Sequence, residues 1–138
     1  MEARAAAKYV LISPRKARLA TQIIQGKPVS EALAILKYTP KKGAVMVSKV
    51  LNSAIANAVN VEGSGKLDPD ALYVKSASID PGPIMPRWQP RAFGRASRIR
   101  KRLSHIKIVV TTEMPRALKG TRTARRVEAH TTKKKGKK

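Results

Sequence analysis

The stretch DPGPIMPRWQPRAFGRASRIRKRLSHIK, residues 80–107, decides how this chain is built. Pro81, Pro83, Pro86 and Pro90, with Gly82 and Gly94, break up its first part. On either side, residues 71–80 and 99–111 are rich in β-branched or alternating apolar side chains, which predicts two strands. No two-residue turn signal such as Asn-Gly stands between them. A structureless loop of this length is unusual inside a compact domain. The better account continues both strands outward as a long protruding β-hairpin over about 80–107. With about ten residues in each arm, it would reach on the order of 30 Å at strand rise.

The rest of the chain supplies the body that such a hairpin needs. Residues 5–12 mix small and β-branched residues with Tyr9 and end at Ser13-Pro14, which predicts a strand leading into a helix. Ser13 suits the N-cap and Pro14 the first helical position, where a missing N–H costs nothing. Ala17, Ala20, Ile23 and Ile24 repeat at helical spacing up to a stop at Gly26. Val29, Ala32, Leu33 and Leu36 predict a shorter second helix, closed before Pro40. A third, over about 42–61, carries the stripe Val47, Val50, Leu51, Ala54, Ile55 and Ala58, and Gly63 and Gly65 end it. Asp68-Pro69-Asp70 is a turn signature before it is a metal site. The expected fold is α+β: three helices packed on a small three-stranded antiparallel sheet, with the hairpin projecting from it. At 138 residues the length fits one domain. Its expected extent is residues 1–113, followed by a disordered basic tail over 114–138 that cannot bury enough apolar surface to fold alone.

Charge says what the hairpin is for. Thirty Lys and Arg against eight Asp and Glu leave a net charge of +22, which repels itself in a compact state without a counter-charge. Residues 1–80 hold twelve basic and six acidic side chains; residues 81–138 hold eighteen and two. Between Met85 and Arg102 stand Arg87, Arg91, Arg95, Arg98, Arg100, Lys101 and Arg102, without one carboxylate. Arginine's planar fork binds phosphate bidentately and stacks on bases, so this pattern points to nucleic acid. Arg15, Lys16 and Arg18 beside the first helix cap are candidate phosphate contacts too. Trp88 and Phe93 stand among the arginines, either to stack on unpaired bases or to pack against the opposite arm. Asn52, Asn57 and Asn60 fit a plain polar helix face better than ribose contacts.

Other chemistries find little material. Cysteine is absent, and His105 and His130, the only histidines, have no carboxylate pair at metal-ligand spacing. No glycine-rich phosphate loop is present. No catalytic residue, metal, cofactor, small-molecule substrate or membrane partner is expected. There is no run of eighteen apolar residues and no secretory pattern, so a soluble intracellular protein is expected.

Four segments resemble the large-subunit ribosomal protein twenty-two family in its bacterial form: SPRKARL (13–19), IQGKPVSEAL (24–33), KVLNSAIANA (49–58) and PRAFGRASRIRKRLSHIKIVV (90–110). The resemblance implies a structural constituent of the large ribosomal subunit, cytoplasmic or organellar. It implies that the chain binds 23S-type rRNA and supports subunit assembly, beside neighbouring large-subunit proteins. It also implies a hairpin tip near residues 82–89, centred on Met85, Pro86, Arg87 and Trp88, that lines the nascent-peptide exit tunnel. The chain departs from the family pattern at Pro86 and Gln89, where a basic residue is usual, and at Phe93 and Leu103. Two other classes stay open on the residues alone: a DNA-compacting architectural protein and an RNA-processing enzyme.

Overall fold

The structure, a computed structural model, describes residues 1–62 and 68–113. The end of the third helix at Gly63 and Gly65, and the tail over 114–138, lie outside the described residues. The elements run β1 (Glu2–Val10), α1 (Pro14–Ile24), α2 (Val29–Tyr38), α3 (Lys42–Glu62), β2 (Tyr73–Pro90) and β3 (Ala96–Thr111), with a 3-10 turn at Pro69–Ala71. The sheet order is β1-β3-β2, antiparallel throughout, so the expected α+β architecture is what the chain adopts.

β3 is the spine. Each irregularity of register falls in a partner strand, between Ala7 and Val10 of β1 and at Val74/Ser76 and Pro81/Ile84 of β2. The pleat of β3 therefore alternates without interruption from end to end. Its even-numbered residues Ile106, Ile108 and Val110 are buried under the helices. There they meet Val47, Leu51, Ala54 and Ala58 of α3 and Ala17, Ala20 and Ile24 of α1 in one core. Burying each of the Val, Leu and Ile side chains among them is worth roughly 1.5–3 kcal/mol. Small residues let the layers approach closely: a side chain on Gly43 of α3 would come within 3.3 Å of the Ala17 backbone of α1.

α3 is long and apolar enough to cross a membrane by length and composition. Its stripe Val47, Val50, Leu51, Ala54 and Ala58 is buried in this core. Asn57 on its outer side donates from Nδ2 to the Arg4 carbonyl at 3.0 Å, which ties α3 to β1.

Several expectations needed adjusting. β1 begins at Glu2 rather than residue 5, because Glu2 to Ala7 pair in register with Thr111 to Ile106. Ser13 occupies the N-cap, but its side chain makes no capping bond. Ile23 is 41% exposed; the buried position on α1 is Thr21, whose hydroxyl satisfies itself on the Arg18 carbonyl. Gly26 takes φ +80° and donates to the Val74 carbonyl, so the α1–α2 connection lies against the start of β2.

The tip needs the largest correction. β2 runs unbroken through Met85, Pro86, Arg87 and Trp88, which pair with Lys101, Arg100, Ile99 and Arg98. The chain reverses later, at Ala92-Phe93-Gly94-Arg95, where the Arg95 N–H donates to the Ala92 carbonyl and the Arg91 N–H to the Arg95 carbonyl. Met85 to Trp88 are thus part of the outgoing arm, not the tip. The prolines do not force a turn because β2 is an edge strand. Pro86 and Pro90 have the same parity, so their missing N–H groups both fall on one edge of the strand, the outer one. At the turn Phe93 and Gly94 both take positive φ, +57° and +65°, the pattern that Asn-Gly satisfies more easily.

Candidate nucleic-acid interface

Because β3 alternates without a break, the face it shows the helices continues past their edge. Its even-numbered residues change from Val110, Ile108 and Ile106 through buried Ser104 to Arg102, Arg100 and Arg98. Apolar side chains stand where helices cover the sheet, and arginines where they do not. Cross-strand pairing adds Ile84 opposite Arg102, Pro86 opposite Arg100 and Trp88 opposite Arg98, so these share that face. The other face of the arm carries Arg87, Ile99, Met85 and Lys101.

At the root of the hairpin this face becomes the floor and wall of a groove of about 760 Å³. Lys16 and Leu19 of α1, Leu11 to Ser13 before it, Lys41 to Gly43 at the start of α3, and Arg100 to Arg102 of β3 line it. Six of these side chains are cationic and none is acidic. Leu11 and Leu19, about half exposed, give the groove an apolar patch between its charges. The start of a 21-residue helix adds the positive end of its dipole. The arrangement suits a polyanion that also offers flat apolar surface, which describes a nucleic-acid strand with accessible bases.

The residues expected to bind RNA fall into separate groups. Lys16, Arg100, Lys101 and Arg102 meet in the groove. Arg98 stands farther along the same face, and Arg91 and Arg95 flank the turn. Arg87 lies on the opposite face with its Nη1 donating to the Pro86 carbonyl at 2.8 Å. Arg15 is exposed beside the groove-facing Lys16. Arg18 differs: its Nε and Nη2 both donate to the Ile79 carbonyl, which fastens α1 to the root of β2. Lys41 and Lys42 were not anticipated. The Lys-Lys pair directly after Pro40, at the entrance to a long helix, was the available signal.

Phe93 is 96% exposed and does not pack across the hairpin, while Trp88, opposite Arg98, is 66% exposed. Three acids are paired away from this face: Glu2 with Lys75, Glu31 with Lys27, and Asp80 with Lys107 at 2.8 Å. Asp80, at the base of the hairpin, has its carboxyl held below the usual value by the hydrogen bond and charge of Lys107. No group of His, Cys, Asp and Glu that could hold a metal ion occurs among the described residues.

Residues 5–111 match the family model described as ribosomal protein L22p/L17e. Curated relatives agree along nearly their whole length. The large ribosomal subunit protein uL22 of Maridesulfovibrio salexigens is 62% identical over 110 residues, covering 80% of this chain and 97% of the relative. The proteins of the same name from Halothermothrix orenii and Pelotomaculum thermopropionicum are 56% and 51% identical over 111 residues, each covering 80% of this chain and 96% of the relative. The groove and the arginine face both lie within the matched segment, and the chain belongs to the uL22 family of large ribosomal subunit proteins.

Proposed function

We propose that this protein, a structural and non-enzymatic constituent of the large ribosomal subunit, holds 23S-type rRNA in the groove and along the arginine face of the hairpin. One observation carries the reading: a single face of β3 runs from the buried core to an acid-free row of arginines that opens into a groove lined by six cations. Phosphate contacts along that row fix the register of the protein on the RNA, and the arm inserts between RNA segments that it thereby ties together during subunit assembly. The far end of the hairpin, Arg91 to Arg95 with exposed Phe93, extends to the wall of the nascent-peptide tunnel. Met85, Pro86, Arg87 and Trp88 line the approach to it. Neighbouring large-subunit proteins and the nascent chain are the remaining partners.

Binding of the full chain to a folded large-subunit rRNA fragment, measured against salt, tests this. Affinity should fall steeply with salt, by roughly 0.7–0.9 log units per log unit of salt for each phosphate contacted. Deleting residues 84–102 should abolish tight binding, and duplex DNA should compete poorly. Equal affinity of the deleted form, or preference for duplex DNA, would overturn the proposal in favour of a general polyanion binder.

A further inference from the structure

The face of the sheet turned away from the helices carries a second, smaller site. Its centre is Tyr9, 62% exposed and in the left-handed region at φ +58°, a conformation that bulky residues rarely adopt. The bulge of β1 between Ala7 and Val10 places it there, and the Tyr9 N–H donates to Nδ1 of His105 at 3.1 Å. The two rings meet edge to face, with centroids 4.8 Å apart. The other imidazole nitrogen, Nε2, lies against Gly82, where even a methyl group would come within 3.2 Å of it. His105 is therefore wedged between bulges in both neighbouring strands, and it holds the strained tyrosine upright. Strain of this kind persists where the surroundings over-determine it, and it collects at binding sites.

A shallow pocket of about 240 Å³ opens beside this pair, lined by Ala6, Lys8, Tyr9, His105 and Lys107. Lys107 is shared with Asp80, but no ion pair engages Lys8 among the described residues. The pocket thus offers an aromatic ring, an imidazole and ammonium groups next to a small alanine floor. It lies on the opposite side of the sheet from the cationic groove.

We infer that this pocket binds one unpaired nucleotide of RNA, its base stacked on Tyr9 and its phosphate drawn to Lys8. The protein would then be clamped between two RNA segments, one on each face of its sheet. The inference rests on the RNA-binding reading above but concerns a separate surface.

The test is a titration of the isotopically labelled full chain with a single-stranded hexauridylate and with a blunt RNA duplex of equal length, followed by nuclear magnetic resonance. The single strand should shift the Tyr9 amide and the His105 ring saturably, and the duplex should not. Tyr9→Asn keeps a residue that tolerates positive φ but removes the ring. It should weaken the affinity read at His105 about fivefold or more, whereas Tyr9→Phe should not. Shifts confined to Lys16, Lys41 and Arg100, or a Tyr9→Asn variant that titrates like the parent, would overturn the pocket alone. Absence of shifts on both faces would overturn the RNA-binding reading with it.

Discussion

Arg18 of α1 donates from both Nε and Nη2 to the carbonyl oxygen of Ile79, at 3.2 and 3.0 Å. Ile79 is the last fully core-facing residue of β2 before the hairpin leaves the body, so this forked contact fixes the angle at which the arm departs. Charge-assisted bonds of this kind are worth more than neutral ones, although an exposed guanidinium loses part of that to solvent. Arg18→Ala should lower stability by about 1 kcal/mol in denaturant titrations and speed hydrogen exchange of the amides around Asp80. Arg18→Lys should restore little, because an ammonium lacks the planar fork. Unchanged exchange at the hairpin root in both variants would remove Arg18 from this role.

Gly82 sits where β2 carries an extra residue opposite Ser104 and Arg102. A Cβ there would come within 3.2 Å of the Leu103 carbonyl carbon, the Leu103 Cβ and His105 Nε2. Backbone cannot yield as a flexible side chain does, so Gly82→Ala should cost about 1–3 kcal/mol. It should also displace the His105 ring, visible as a change in the Tyr9 amide resonance. A variant as stable as the parent with Tyr9 unmoved would show that the bulge accommodates the methyl group.

Much of this fold was legible because its core follows simple periods. The stripe from Val47 to Ala58 and the alternation of Ile106, Ile108 and Val110 required no tertiary information. The site was harder to read for two reasons. The groove joins Lys16, Lys41 and Arg100, which are brought together only by the packing of α1, α3 and β3. The turn at Phe93-Gly94 was hidden because phenylalanine is a poor residue for positive φ, while the prolines upstream suggested an earlier reversal. Arg18 looked like its neighbours Arg15 and Lys16 in sequence, and only the position of the Ile79 carbonyl sets it apart.

The strain at Phe93 gives a prediction in the stabilising direction. Its φ of +57° next to Gly94 is a conformation that asparagine adopts far more readily. Phe93→Asn should slow exchange of the Arg91 amide and stabilise the turn by roughly 1 kcal/mol, since the exposed ring makes no packing that would be lost. Faster exchange in this variant would mean that the phenyl ring supports the turn.

Asp80 gives the base of the hairpin a dependence on pH. Lys107 lowers its carboxyl below the ordinary value near 3.8 in the folded chain. A depressed folded pKa means that the pair contributes above the unfolded value and that its contribution disappears as pH falls through the folded one. Stability should therefore drop between about pH 4 and the acid limit, and Asp80→Asn should flatten that part of the curve while leaving the shape above pH 5 unchanged. Equal acid sensitivity of parent and variant would assign the drop to other carboxylates.

The two faces of the arm allow the sharpest test of how the protein holds RNA, because both carry arginine in the same stretch of chain. Arg98, Arg100 and Arg102 share the face that continues into the groove, while Arg87 stands on the other; Lys101, which also lines the groove, belongs to neither set. Replacing the first three with Gln should reduce the slope of log affinity against log salt by about 2, since each lost phosphate contact removes roughly 0.7–0.9. Replacing Arg87 with Gln should leave the slope nearly unchanged, because that side chain stands away from the groove. Circular dichroism of the two variants should agree, because none of these side chains enters the core. If the two sets changed the slope in proportion to the charges removed, the RNA would be surrounding the arm evenly, and the alternation of β3 would have no part in directing it.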